Sequence, residues 1–212
     1  MIQTRIYVDG RISDEAGATV PVLDRGFLYG DSVYEVTRTA GGRPVDLGPH
    51  LDRLGRSAGR LRMMLPPRAL DPAIKSGNYL NNILALDEAR QKMAYEAILC
   101  DHEGRVTEGS SSNVWSVSAG VVRTPPTSVG ILPGITRWRV LALAEANGIL
   151  AEETELRPAD LLAADEMFLT SSIRGVLPIS QLDDRTLGVG PVTRRLQALY
   201  DAFLADVAAG RA

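Results

Sequence analysis

The sequence predicts an α+β protein of two unequal lobes, and three observations carry that prediction. Short runs of β-forming residues bounded by turn signals recur along the chain, and stretches of helical periodicity separate them. A proline-marked segment, Pro66 to Pro72, interrupts the pattern and marks a junction. The expected division is a small lobe at 1–66, a junction at 67–74 and a larger lobe at 75–212.

Each element has its own local reason. Ile6, Tyr7 and Val8 lead through Asp9-Gly10 to Arg11 and Ile12, which reads as a tight hairpin. Ser32 to Thr39 is a β-rich run that turns at Gly41-Gly42 toward Pro44 and Val45. Leu51, Leu54, Ala58 and Leu61 then recur at helical spacing, with Pro49 near the start and Pro66-Pro67 as the stop. Tyr79 to Lys92 has a helical pattern, followed by short strands with turns at 101–104 and 119–120. Thr136 to Asn147 should form a helix ended by Gly148, and Ala159 to Ala164 a shorter one. Strands at Met167 to Thr170 and Val176 to Gln181 precede a closing amphipathic helix, Val192 to Val207.

Composition narrows the function. The 212 residues are 45% hydrophobic, which suits a globular core. Net charge is −3 from 23 basic and 26 acidic residues that are interspersed, so no field suited to nucleic acid or an anionic membrane is expected. The first residues lack a basic region followed by an apolar stretch, and no run is long enough to cross a bilayer, so a cytoplasmic protein with no membrane partner is expected. A single cysteine, Cys100, and two histidines, His50 and His102, without clustered partners argue against a disulfide framework and a metal site. Of the 23 basic residues only Lys75 and Lys92 are lysines. Arginine does not form imines, so any Schiff-base chemistry falls to one of those two.

Lys75 lies in an apolar-to-small stretch that would desolvate an amine, whereas Lys92 follows Glu88 by four residues, the spacing of a solvated helix pair. Glu108 sits in the polar run Thr107 to Asn113. That run reads equally as a turn between strands or as a carboxylate offered to a ring nitrogen. Gly134-Ile135-Thr136-Arg137 opens a helix, where unpaired N–H groups favour a phosphate, although Thr136 also reads as a simple N-cap. Thr170-Ser171-Ser172 supplies further hydroxyls, and Arg53 is either a phosphate partner or an exposed helix residue. There is no Gly-x-Ser-x-Gly elbow and no Gly-rich nucleotide loop.

In order, the segments Asp24 to Glu35, His50 to Leu54, Ile74 to Ser76 with Asn78 to Leu80, Thr107 to Asn113, Gly134 to Arg137, and Ala164 to Glu166 leading into Thr170 to Ser172 resemble the fold-type IV pyridoxal 5′-phosphate enzymes. These are the branched-chain and D-amino-acid aminotransferases and the aminodeoxychorismate lyases. The resemblance implies a small α+β domain and a larger α/β pseudo-barrel domain. It implies Lys75 as the Schiff-base lysine and proton shuttle, and Glu108 at the pyridine nitrogen. Arg53, Ile135, Thr136, Ser171 and Ser172 would hold the phosphate, with Tyr79 near the ring hydroxyl. Tyr34 and Ser111 would face the substrate, Tyr34 in its own pocket or that of a neighbouring subunit. Ile173-Arg174-Gly175 departs from the family, where many members have small residues followed by glutamate, and Arg174 reads either as a bidentate partner of a substrate carboxylate or as a surface salt bridge.

By the same resemblance the activity is amino transfer between an amino acid or amine and a 2-oxo acid, in a homodimer. The chain departs from the family by lacking roughly 60 residues between the helix ending near Met64 and Lys75, a stretch that completes the small domain. A half lobe should leave sheet edges and apolar surface exposed. Lyase chemistry, or an inactive cofactor-binding remnant, are the alternative readings.

Overall fold

The computed structural model describes residues 4–61 and 74–211, with the side chain of Leu61 excepted. The junction at 67–74, the proline stop at Pro66-Pro67 and the helix end near Met64 therefore lie outside the described residues, except for Ile74.

The N-terminal segment carries β1 (Ile6–Val8), β2 (Arg11–Ser13), α1 (Arg25–Tyr29), β3 (Thr39–Ala40), β4 (Arg43–Pro44) and α2 (Leu47–Leu61). The remainder carries α3 (Leu80–Gln91), β5 (Ile98–Cys100), β6 (Val106–Gly109), β7 (Asn113–Ser118), β8 (Val121–Thr124) and α4 (Ile135–Ala146). It continues with β9 (Ala151–Glu153), α5 (Pro158–Ala163), β10 (Glu166–Ser171), β11 (Gly175–Pro178), β12 (Gln181–Leu182), β13 (Arg185–Thr186) and α6 (Pro191–Ala209). No helix among the described residues is long and apolar enough to cross a membrane.

The turns follow local chemistry. Asp9-Gly10, Gly41-Gly42 and Ala119-Gly120 each place two successive residues at positive φ, the backbone that matches strand twist in a two-residue hairpin. The central sheet has the order β11-β10-β7-β8-β9, antiparallel except where β9 runs parallel to β8. Alternation along its strands makes two cores. Trp115, Val117 and Phe168 pack on one face with Val140, Ala144, Leu196 and Tyr200 of α4 and α6. Val114, Met167 and Leu169 pack on the other with Val106, Leu156 and Leu161. Cross-strand partners Trp115 and Phe168 stack with ring centroids 5.2 Å apart. Gly175 takes φ +66, and a Cβ there would come within 2.7 Å of the Tyr200 ring, so glycine lets β11 lie against α6.

Two expectations are corrected. Ser32 to Thr39 is not one strand: among the described residues Val33 makes an isolated bridge to Ser76, and regular pairing begins only at Thr39. A ladder needs a neighbour along its full length, and among the described residues this stretch has two separate short partners: the segment at Lys75 and Ser76 beside Val33 and Tyr34, and Val45, whose N–H donates to the Arg38 carbonyl at 2.9 Å. The strand expected over Val176 to Gln181 divides, with β11 ending at Pro178, a residue that cannot donate to a ladder.

The apolar surface expected of a shortened lobe is present. Val20, Val22, Leu23, Phe27, Leu28 and Tyr29 are each between 45% and 78% exposed. The N-terminal segment is nevertheless tied to the larger part of the chain. Asp46 pairs with Arg139 of α4, and Gly41 lies against Ala208 of α6.

Candidate active site

A cavity of about 420 Å³ lies between α2, α3, α4 and the ends of β6, β7 and β10. Every residue expected to meet the cofactor or substrate lines it: Lys75, Arg53, Tyr79, Glu108, Ile135 and Thr136, together with Ser171, Ser172, Tyr34, Ser111 and Arg174.

Lys75 enters through the segment that crosses Val33. The Tyr34 N–H donates to the Lys75 carbonyl at 3.1 Å, and this backbone contact brings the two side chains together, with Lys75 Nζ 4.2 Å from the Tyr34 ring centroid. Tyr34 thus lines the cavity of its own chain. Lys92, by contrast, is exposed and paired with Glu88 at 2.9 Å, as its spacing predicted.

Arg53 is buried. It grips both oxygens of Glu35 through Nε at 2.6 Å and Nη2 at 2.7 Å, and donates through Nη1 to the Pro133 carbonyl at 3.0 Å. His50 Nδ1 lies 2.8 Å from the same carboxylate. Burial alone would raise the Glu35 pKa, but the hydrogen bonds and charges of Arg53 and His50 outweigh it and hold it at about 2, below the ordinary 4.5. Glu35 escaped the sequence reading, although its signal was available: with alternation along an extended chain, Tyr34 and Val36 line the cavity while Glu35 turns to α2. Removing Glu35 leaves a buried guanidinium uncompensated. Glu35→Ala should lower the unfolding free energy by about 3 kcal/mol or more at pH 7, read by urea denaturation. Because the folded-state pKa is depressed, the contribution of Glu35 is present above pH 4.5 and is lost as pH falls toward 2, a slope the variant should lack.

Glu108 projects from β6 into a largely buried position. Oε2 accepts from the Leu132 N–H at 3.0 Å and from Asn113 Nδ2 at 3.3 Å. Burial raises its pKa to about 8 against the opposing effects of the Leu132 N–H and the Lys75 charge. Asn113 also donates to the Leu132 carbonyl at 3.0 Å, and a Cβ on Gly134 would sit 1.9 Å from its Oδ1. Gly134 therefore has to be glycine for Asn113 to hold Glu108 in place. Neither Asn113 nor this use of Gly134 was anticipated.

Thr136 is corrected as well. The N-cap of α4 is Gly134, and Ile135 and Thr136 are the first two helical residues. Their backbone N–H groups sit at the positive end of the helix and border the cavity. The Tyr79 hydroxyl donates to the Ser110 carbonyl, which also accepts from Asn82 at 3.1 Å. Burial, with the charges of Tyr34, Glu108 and Glu96, raises the Tyr79 pKa. The Ser171 hydroxyl accepts from the Arg174 N–H at 3.3 Å. Arg174 meets Ser111 Oγ at 3.3 Å and Glu96 at 3.6 Å.

The model of the amino-transferase class IV family matches residues 62–182, more than half of the chain. The chain belongs to the class IV aminotransferases. This aminotransferase is 30% identical over 280 aligned positions to the D-alanine aminotransferase of Bacillus licheniformis, covering 96% of this chain and 99% of that one. The aligned length exceeds 212, so the relative carries residues with no counterpart here. Over 131 positions it is 40% identical to the branched-chain-amino-acid aminotransferase of Pseudomonas aeruginosa, covering 60% of this chain and 42% of that protein. Its fold is similar to the branched-chain aminotransferase of the thermophilic archaeon Thermoproteus uzoniensis, solved with norvaline. The TM-score is 0.86 at 26% identity, over 99% of this chain and 96% of the other. Class IV aminotransferases use pyridoxal phosphate.

Proposed function

We propose that the cavity holds pyridoxal 5′-phosphate and exchanges an amino group between an amino acid or amine and a 2-oxo acid. The observation that carries this reading is the pairing, in one cavity, of the Lys75 amine with the largely buried carboxyl group of Glu108. The hydrogen bonds of Glu108 fall on Oε2, leaving Oε1 without a donor among the described residues, and its pKa is raised to about 8. A carboxyl group in that state has no ion pair that offsets its burial, and a protonated ring nitrogen would supply one. At the other end, the N–H groups of Ile135 and Thr136, the hydroxyls of Ser171 and Ser172, and the Arg53 guanidinium fixed by Glu35 suit a phosphate.

When bound, the cofactor supplies an electron-accepting ring that weakens the bonds at a substrate α-carbon. Lys75 is the amine that holds its aldehyde. With the substrate in the site, Lys75 Nζ would take up and return the α-carbon proton, a role suited to an amine set against the Tyr34 ring instead of a carboxylate. Glu108 would keep a proton on the ring nitrogen, and Tyr79 fixes the loop at Ser110 on the cavity wall. Tyr34 and Ser111 border the substrate side.

Two lobes meeting at 67–74, a cytoplasmic location and a homodimer complete the proposal. The exposed Leu23, Phe27 and Tyr29 supply an apolar face for a second copy of the chain. The curated relatives described above are aminotransferases, which favours transfer over lyase chemistry.

The test is the visible absorption spectrum of the purified protein with added pyridoxal phosphate, before and after a panel of amino donors. A cofactor band that a donor bleaches and a 2-oxo acid restores is the expected result. A bound cofactor that answers to no donor overturns amino transfer, and pyruvate released without an acceptor identifies the lyase alternative.

A further inference from the structure

Three cationic side chains line the cavity among the described residues: Lys75, Arg53 and Arg174. Under the proposed function, on which this inference rests, Lys75 is taken by the cofactor. Arg53 is assigned to the cofactor phosphate and is held by both oxygens of Glu35 and the Pro133 carbonyl. Arg174 remains. Its side chain is 37% exposed, and its guanidinium lies over the Tyr95 ring, 4.7 Å from the centroid.

The side-chain polar contacts of Arg174 all run through Nη1, to Ser111 Oγ at 3.3 Å and to Glu96 Oε2 at 3.6 Å, the latter beyond hydrogen-bond distance. Nε and Nη2 make no hydrogen bond among the described residues. Glu96 is in turn held from behind. Its side chain is only 6% exposed and accepts from the Ser110 hydroxyl and from the Ser111 N–H and hydroxyl. A buried carboxylate and an aromatic face therefore fix the guanidinium at the cavity wall while leaving one edge of its donor fork open.

We infer that Arg174 is a substrate-binding residue that receives a carboxylate of the amino acid or 2-oxo acid on Nε and Nη2, with Tyr95 and Glu96 as its positioning residues. A bidentate charge-assisted pair of this kind gives selectivity for carboxylate substrates over plain amines. Two carboxylates qualify by chemistry, the one beside the reacting carbon and one at the end of an acidic side chain, and the experiment separates them.

The test compares wild type, Arg174→Gln and Arg174→Lys, each loaded with pyridoxal phosphate, with the cofactor spectrum serving as the check on folding. Propanoate and glutarate, which do not react, are titrated against the cofactor band as direct binding probes, and KM and kcat are measured for alanine and glutamate with one acceptor. Arg174→Gln should weaken acid binding and raise KM by about 10- to 100-fold, with a smaller change in kcat, and Arg174→Lys should recover part of the loss. An effect on both acids and both donors assigns the carboxylate beside the reacting carbon; an effect on glutarate and glutamate alone assigns the side-chain carboxylate. Changes under 2-fold for every probe, with donors still bleaching the band, overturn the inference and leave the proposed function standing. A band that no donor bleaches in wild type is instead the failure of that function.

Discussion

Lys75→Ala should lower amino transfer by on the order of 10⁴-fold or more, because one amine is assigned two tasks, holding the cofactor and moving the α-proton. No other amine can replace it. Lys92 is the only other lysine in the sequence, and it is spent on an exposed pair with Glu88 at the end of α3. Lys92→Ala should therefore leave the rate within about 2-fold. Lys75→Arg should fare no better than Lys75→Ala, since a guanidinium stays protonated and does not condense with an aldehyde. A small added amine should restore part of the proton transfer in Lys75→Ala, in proportion to its concentration. Equal losses in the Lys75 and Lys92 variants would remove Lys75 from its assigned role.

What the sequence made legible was local or conveyed by resemblance. The two-residue turns at Asp9-Gly10 and Ala119-Gly120, the stop at Gly148 and the solvated pair of Lys92 each depend on neighbours a few residues away, and each appears where expected. Arg53 shows the limit. Helical periodicity placed it on α2 but left open whether it was exposed. The answer depends on Glu35, 18 residues earlier, and on the Pro133 carbonyl, 80 residues later. Glu108 was read as either a turn residue or a ring partner, and the difference is made by Asn113, Leu132 and a glycine at 134 that meet only in three dimensions. The failed strand at Ser32 to Thr39 has the same origin. Its residues have the composition of a strand, but pairing is a property of the neighbours, and the described neighbours are two short ones, the segment at Lys75 and Ser76 at one end and Val45 at the other.

Glu108 sets function against stability, and that opposition gives the second large expected effect. Without cofactor its pKa stands near 8 in the folded chain against 4.5 for an unburied carboxylate. Between those values the folded state holds a proton that the unfolded state has released. Unfolding free energy should therefore fall as pH rises through this window, with the cost absent below pH 4.5 and complete above pH 8. Glu108→Gln keeps the shape and an acceptor for the Leu132 N–H while removing the charge. Free of cofactor, it should be more stable than wild type at pH 8 by on the order of 2 kcal/mol, and its stability should be nearly flat across the window, read by urea denaturation at several pH values. The same substitution should lower amino transfer by about 10²- to 10³-fold, because an amide cannot hold a proton on the ring nitrogen as a carboxylate does. A variant that loses activity without gaining stability would mean that Glu108 is not strained by burial. One that gains stability and keeps its activity would mean that the carboxylate does not serve the ring. The opposite signs expected together are those of a charge buried in advance of the cation it is meant to meet.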